Sequence, residues 1–259
     1  MTGPVTTSPR RVAIMQPYLF PYIGYFQLAA AVDEFWLLDT VQFIQQGWMN
    51  RNVLLVNGHP TPFTISVKKK PRNDIIANKV YAQNAVRDCV KLSRTLQQSY
   101  SRAPYLETAL KVVDDFKCYL LSKGNTADFT AATKVALQSS FDAIGLHTPI
   151  RKISELHLDN TLTGQDRIVA ACRTIGATKY INMAGGQELY DPYEFQKFNV
   201  DLQFLEPVLS SYNQATHLFI PSLSILDVLS FVHSDDIKKM ITQYCVKSSY
   251  QLRGQRAPL

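Results

Sequence analysis

The chain has 259 residues, 46% of them hydrophobic and 19% charged, with a formal net charge of +6 at pH 7. That composition excludes a disordered tail, a collagen-like repeat and a pure coiled coil, and the length allows a sizeable core without disulfide staples. No apolar run reaches the ~18–20 residues that span a bilayer, and the polar first 11 residues lack the apolar stretch of a signal peptide. Cytoplasmic localisation and no membrane insertion are therefore expected.

Residues 11–16 are an apolar, β-branched run that stops at Pro17, which predicts a short buried strand. Pro17 and Pro21 bracket Tyr18-Leu19-Phe20, an expected extended loop, because proline disfavours helix at the residue before it. Over residues 22–32, Phe26, Ala29 and Ala30 recur at helical spacing, with Pro21 where helices tolerate proline. Residues 35–39 predict a second strand that ends on Asp39. The β-rich runs 53–56 and 62–67 flank Asn57-Gly58 and predict a hairpin, its turn lengthened by His59-Pro60. A basic run follows (Lys68, Lys69, Lys70, Arg72 and Lys79), opposed only by Asp74.

Residues 83–145 read as three helices divided near Ala103-Pro104 and Gly124-Asn125, with Asp128 in the opening turn of the third and Gly145 ending it. Beyond them, strands at 150–153, 179–182 and 200–205 alternate with helices at 167–175 and 192–198, and helices at 224–232 and 235–246 finish the chain. Strands alternating with helices predict an α/β fold: a mostly parallel sheet (Rossmann-like or nucleotidyltransferase-like) with right-handed crossovers, flanked by helices. The expected organisation is a flexible segment 1–10, a single α/β domain 11–247 with a helical insertion over 83–145, and a flexible basic tail 248–259.

The cysteines (Cys89, Cys118, Cys172 and Cys245) stand singly, without C-x-x-C or histidines at ligand spacing, and read as reduced, mostly packed thiols; no metal site is expected. A charge of +6 welcomes phosphates but is mild for a nucleic-acid protein, and no nucleic-acid partner is expected.

Open parallel sheets bind ligands beyond the carboxyl ends of their strands. After the first predicted strand come Gln16, Tyr18, Tyr22, Gly24 and Tyr25, where loop amides and a helix N-terminus suit an anion and Gly24 permits close approach. After the second come Asp39, Gln42, Trp48, Asn50, Arg51 and Asn52, and after the 179–182 strand Asn182, Gly185 and Gly186. Asp39 is the candidate general base, since partial burial raises a carboxyl pKa toward useful values. Tyr22 and Tyr25 are candidate proton donors or oxyanion ligands. Arg51 and Lys68 are candidate phosphate ligands, and Gln16, Asn50, Asn52 and Asn182 would orient polar groups. Each has a plainer reading: core for the aromatics, surface ion pairing for Arg51, a solvated strand end for Lys68, a turn for Gly185-Gly186. Walker A, G-x-G-x-x-G, G-x-S-x-G and H-E-x-x-H patterns are all missing.

The block from Met15 through Leu28 (MQPYLFPYIGYFQL), then Asp39, Val41-Gln42-Phe43 and Gly47-Trp48-Met49-Asn50-Arg51-Asn52, resembles the opening signature of the WbqC-like family. The resemblance continues at Thr163-Gly164-Gln165-Asp166-Arg167-Ile168, at Tyr180-Ile181-Asn182 with Gly185-Gly186 and Leu189-Tyr190, and at Ile220-Pro221-Ser222-Leu223-Ser224-Ile225-Leu226-Asp227-Val228-Leu229. It implies a role in bacterial O-antigen, other surface-glycan or small-molecule biosynthesis, without a settled reaction. The chain departs from the family pattern at Thr40, where a second acid is common, and at Gln45-Gln46, where Lys-Arg is frequent. These changes weaken a paired-carboxylate metal site and remove charge beside Arg51. Tyr22-Ile23-Gly24-Tyr25 is also similar to the H-x-G-H region of nucleotidyltransferase-like folds, with tyrosines at both histidine positions. Adenylate-transfer chemistry does not carry over; the fold is the part that can.

The expected activity is group transfer on a phosphate-bearing small molecule such as a nucleotide sugar or an activated acid. The alternative is a non-catalytic substrate-binding or accessory protein of the same pathway. The residues name no cofactor and leave homo-oligomerisation open.

Overall fold

Five parallel strands and one antiparallel strand make a single sheet in the computed structural model, which describes residues 10–69, 71, 73–216 and 218–249. In chain order these are β1 (Arg11–Met15), β2 (Glu34–Leu37), β5 (Ile150–Lys152), β6 (Lys179–Met183), β7 (Asp201–Pro207) and β8 (Tyr244–Ser248). Their spatial order is β5-β2-β1-β6-β7-β8. The sequence runs from β1 outward to β2 on one side and later to β6 on the other, the kind of switch that opens a crevice at the carboxyl ends of strands. β1 and β6 are in register only at Arg11↔Lys179 and Val12↔Tyr180, then part. The fold is thus α/β with a mostly parallel sheet flanked by helices.

Strand periodicity sorts the core into two faces. Ala13, Phe35, Leu37, Ile181 and Leu205 pack with α1 (Ile23–Ala30), α2 (Ala85–Ser99), α3 (Leu106–Lys123), α4 (Phe129–Ile144), α7 (Ile225–Phe231) and α8 (Ser234–Ile241). Val12, Ile14, Trp36, Tyr180, Leu202 and Phe204 face the other way, onto α5 (Gly164–Ile175) and α6 (Pro192–Gln196). The three middle helices begin and end close to the predicted breaks. Asp128 caps α4 by accepting from the Ala131 amide at 2.6 Å, and Gly145 ends it at φ +78°. All four cysteines are free, Cys89 and Cys172 buried and Cys118 and Cys245 exposed; burial pushes both buried thiols up to about 12.

Two sequence expectations need correction. The hairpin of β3 (Arg51–Val56) and β4 (His59–Thr64) closes directly on Asn57-Gly58, since Val56 pairs with His59, so His59-Pro60 belongs to the strand and does not lengthen the turn. Both turn residues are left-handed (φ +53° and +77°), the geometry that matches the twist of a two-residue hairpin. The expected last helix, 235–246, stops at Ile241, and Tyr244–Ser248 becomes β8, antiparallel to β7. There the hydrogen bonds offered by the β7 edge outweigh local helical preference. Ser248 therefore closes a strand and Ser249 is buried, while the rest of the expected tail, residues 1–9, and Lys70 and Arg72 of the basic run lie outside the described residues. Among the described residues no helix is long and apolar enough to cross a membrane.

Candidate functional site

The two-proline loop after β1 does not stand free. Leu19 N–H donates to the Met49 carbonyl at 2.9 Å, which pins the loop to the segment that enters β3. Phe20 is fully buried and left-handed at φ +46°, an uncommon state for a bulky residue. Its carbonyl accepts from Asn52 Nδ2 at 2.7 Å and from Ser224 Oγ at 2.8 Å. Ser224 N–H reaches the Val53 carbonyl at 3.0 Å and Ile225 N–H the Pro21 carbonyl at 2.8 Å. Loop, hairpin and the start of α7 are one bonded unit.

That unit forms one wall of an open cleft of about 430 Å³ lined by Tyr18, Tyr22, Trp48 and Asn52, with Pro207 at the end of β7, Leu209 beyond it and Ser222 before α7. It sits at the carboxyl ends of β1 and β7. Trp48 is 61% exposed, far more than packing requires of the largest side chain. Tyr22, at the N-cap of α1, folds its ring over Gly24: a Cβ at Gly24 would lie 2.4 Å from Tyr22 Cε2. Burial, with Tyr18 nearby, pushes the Tyr22 phenol above its usual range, so it stays a proton donor at neutral pH. Tyr18 Oη donates to Gln16 Oε1 at 3.1 Å.

The other sequence candidates lie elsewhere. Tyr25 is in the core, its hydroxyl donating to the Gln16 carbonyl at 2.9 Å, which fixes the bend after β1. Asp39 lies two residues past β2 and is 1% exposed; Ser154 donates to it twice, from N at 2.9 Å and Oγ at 2.7 Å. Burial raises its carboxyl pKa against the opposing effect of those bonds. Beside it, the buried Arg167 of α5 donates to the Thr40 carbonyl at 2.8 Å and to the Leu162 carbonyl from Nε at 3.0 Å. This cluster joins the ends of β2 and β5 to α5 and does not line the cleft. Asn182 accepts from Met183 N–H at 2.8 Å, and Gly186 lies so close that a Cβ there would meet Asn182 Nδ2 at 2.7 Å. Asn182 lies within β6, and Gly186 with the exposed Gly185 belongs to the 3-10 helix Ala184–Leu189 that follows it, so the double glycine is helical and not a simple turn. Asn50 Nδ2 donates to the Ile65 carbonyl at 2.8 Å, Arg51 Nη1 to the Gln46 carbonyl at 3.1 Å and Lys68 Nζ to the Asn125 carbonyl at 2.6 Å. Gln42 bridges to Ile75. Of the candidates, then, Tyr18, Tyr22, Trp48 and Asn52 share one cavity.

A second polar centre escaped the reading of the sequence. Asp227 of α7 is wholly buried and accepts from Tyr100 Oη at 2.7 Å, from Gln214 Nε2 at 3.2 Å and from the Tyr212 hydroxyl. Tyr100 Oη in turn accepts from Leu55 N–H at 2.8 Å. Burial raises the Asp227 carboxyl and pushes both phenols up. The four groups come from the C-cap of α2, the 212–214 segment and α7, so no sequence spacing announces them. Among the described residues no group of three or more His, Cys, Asp or Glu side chains is arranged to hold a metal ion.

The model of the WbqC-like protein family matches residues 16–239 of the chain. An uncharacterized protein of Mycobacterium tuberculosis, Rv1507c, is 25% identical over 222 residues, which cover 85% of this chain and 93% of that one. No solved structure matches the chain.

Proposed function

The chain belongs to the WbqC-like protein family, and from that membership and its aromatic cleft we propose that it transfers a group to or from a phosphate-bearing small molecule. A nucleotide sugar or an activated acid fits best, within bacterial O-antigen or related small-molecule biosynthesis. The observation that carries this reading is the exposed Trp48 lining one cleft with Tyr18 and Tyr22 at the carboxyl ends of β1 and β7. Aromatic faces of this kind hold a flat base, with stacking worth about 1–3 kcal/mol per base. Asn52 acts by positioning, because its amide is committed to Phe20 and its carbonyl oxygen to Val53 N–H. Arg51, the residue before Asn52 on β3, lies outside the cleft lining and spends one guanidinium nitrogen on Gln46; its remaining donors suit a phosphate only on a substrate that extends beyond the cleft. Tyr22 is the acid within the cleft. Asp39 lies outside the cleft with both oxygens held by Ser154, so it is no base for a ligand seated there.

Thermal unfolding with nucleotides, nucleotide sugars and activated acids, with and without magnesium, tests the reading. A ligand at ~100 times its Kd stabilises the native state by about 2.7 kcal/mol. A shift lost in Trp48→Ala and reduced in Arg51→Ala is expected, followed by turnover of the ligand that gives it. Silence across the whole panel overturns the proposal. One observation favours the accessory-protein reading: both oxygens of Asp39 are occupied by Ser154, and Asp39 does not line the cleft. A shift without turnover under any acceptor would decide for it.

A further inference from the structure

Away from the cleft, α2 carries a cationic stripe that the proposed activity does not use. Arg87, Lys91 and Arg94 stand at i, i+4 and i+7, on one face of the helix, and all three are exposed. None has a hydrogen bond or ion pair from its charged end among the described residues. The opposite face, Ala85, Cys89, Leu92 and Leu96, is the one buried in the core. Several other surface lysines on helices are matched with acids: Lys111 with Asp115, Lys117 with Asp114, Lys239 with Asp236. The only acid within the stripe is Asp88, and Ser66 N–H already donates to its Oδ2 at 2.9 Å.

Two hollows adjoin the stripe. One, of about 470 Å³, is lined by Asn84, Arg87, Asp88, Val90, Lys91 and Arg94; Val90 is 36% exposed there. The other, of about 410 Å³, lies between α2 and the hairpin and shares Asp88 and Lys91 with the first; Val56, Pro62 and Phe63 give it an apolar side. β4 itself is a poor edge for an added strand. Pairing of Val56 with His59 turns the N–H groups of His59, Thr61 and Phe63 toward β3, so two of the three outward positions fall to Pro60 and Pro62, which have no N–H to offer, and Thr64 alone keeps one. Recognition here falls mainly to side chains.

We propose that the α2–hairpin groove docks an acidic peptide segment of a partner protein, one whose carboxylates alternate with apolar residues. The carboxylates pair with Arg87, Lys91 and Arg94, and the apolar residues enter the hollows beside Val90 and Phe63. Charge complementarity selects the partner, and the apolar side favours peptide over a nucleic-acid backbone, which would meet the cations alone. The cationic tail of this chain is excluded as occupant by its sign.

Fluorescence anisotropy of a labelled peptide of roughly a dozen alternating Glu and Leu residues, at ~0.15 M salt, tests this. The full-length protein should bind it, and the triple variant Arg87→Glu, Lys91→Glu, Arg94→Glu should bind at least about tenfold more weakly. These side chains are exposed, so the variant should fold. A second triple variant, Lys111→Glu, Lys197→Glu, Lys239→Glu, changes net charge equally on other faces and should bind nearly as the parent does. No binding by the parent, or equal losses in the two variants, overturns the proposal. Tighter binding of a thymidine oligonucleotide of about 15 nucleotides under the same salt also overturns it, in favour of nucleic acid.

Discussion

Asn52 donates its side-chain amide to the Phe20 carbonyl at 2.7 Å, and Phe20 is the left-handed residue on which the two-proline loop reverses. A non-glycine residue held there costs on the order of 1–3 kcal/mol. Two buried donors, Asn52 Nδ2 and Ser224 Oγ, offset that cost by satisfying one carbonyl from two different elements. The arrangement brings Tyr18 and Tyr22, on either side of Phe20, to one cleft with Trp48.

Asn52→Ala should therefore lower unfolding stability by about 1–3 kcal/mol, the cost of losing a buried hydrogen-bond partner. Ligand binding in the cleft should weaken as well. Urea denaturation measures the first effect, and an unchanged midpoint would remove Asn52 from its role as the tie.

Gly24→Ala separates the cleft from the core. The added Cβ would sit 2.4 Å from the Tyr22 ring, so the ring must swing outward into the cleft, where its free end can move. Alanine in a helix is better than glycine by roughly 0.5–1 kcal/mol, so stability should hold or rise slightly. Any thermal shift given by a cleft ligand should shrink or vanish. A variant that binds as the parent does would show that the ring position is immaterial.

At the hairpin, Gly58 sits at φ +77°. Gly58→Ala should destabilise by about 1–2 kcal/mol, because a Cβ in this region crowds the carbonyl that follows. Open space around the site, with Thr216 Cγ2 3.9 Å away, means that backbone strain and not a clash is what denaturation would measure.

Asp227 carries a pH dependence of definite sign. Burial raises its folded carboxyl pKa, so the native state holds a proton longer than the unfolded chain does. Its contribution is present below the ordinary carboxylate range, near pH ~4, and declines as pH rises through the raised folded value. Asp227→Asn removes that decline. It also sets an amide N–H against Tyr100 Oη, which already accepts from Leu55 N–H, and should cost about 1–3 kcal/mol. The gap between parent and variant should be wider at pH ~4 than at pH ~7.5, measured by denaturation at both. A gap that widens with rising pH would reverse the assignment.

Much of the architecture is written locally. Proline at 17 and 21, and Asp128 and Gly145 around α4, act within a few residues of their own backbone, and the elements they bound lie close to where they predict; the Asn57-Gly58 turn also forms, with its second strand starting earlier than expected. Failures are non-local. Tyr244–Ser248 leaves the helical pattern because the edge of β7 is there to pair with it, a fact about a strand some forty residues earlier.

The candidate site divides in the same way. From sequence, the aromatic loop, Trp48 and the Asn50-Arg51-Asn52 cluster stand out by residue type alone, and so do Asp39 and Tyr25. Which of them share a cavity depends on side-chain direction: Tyr22 folds over Gly24 toward the cleft, while Tyr25, three residues on, turns into the core and ends on the Gln16 carbonyl. Ser154 and Asp39 lie 115 residues apart in sequence, and their bond appears only when β5 pairs with β2. The sequence by itself determined the alternation of elements and their punctuation, because propensity, capping and turn chemistry act over a few residues. Tertiary structure decided which polar groups are spent on one another and which remain free for a ligand, because hydrogen-bond partners and burial are set by packing between distant segments.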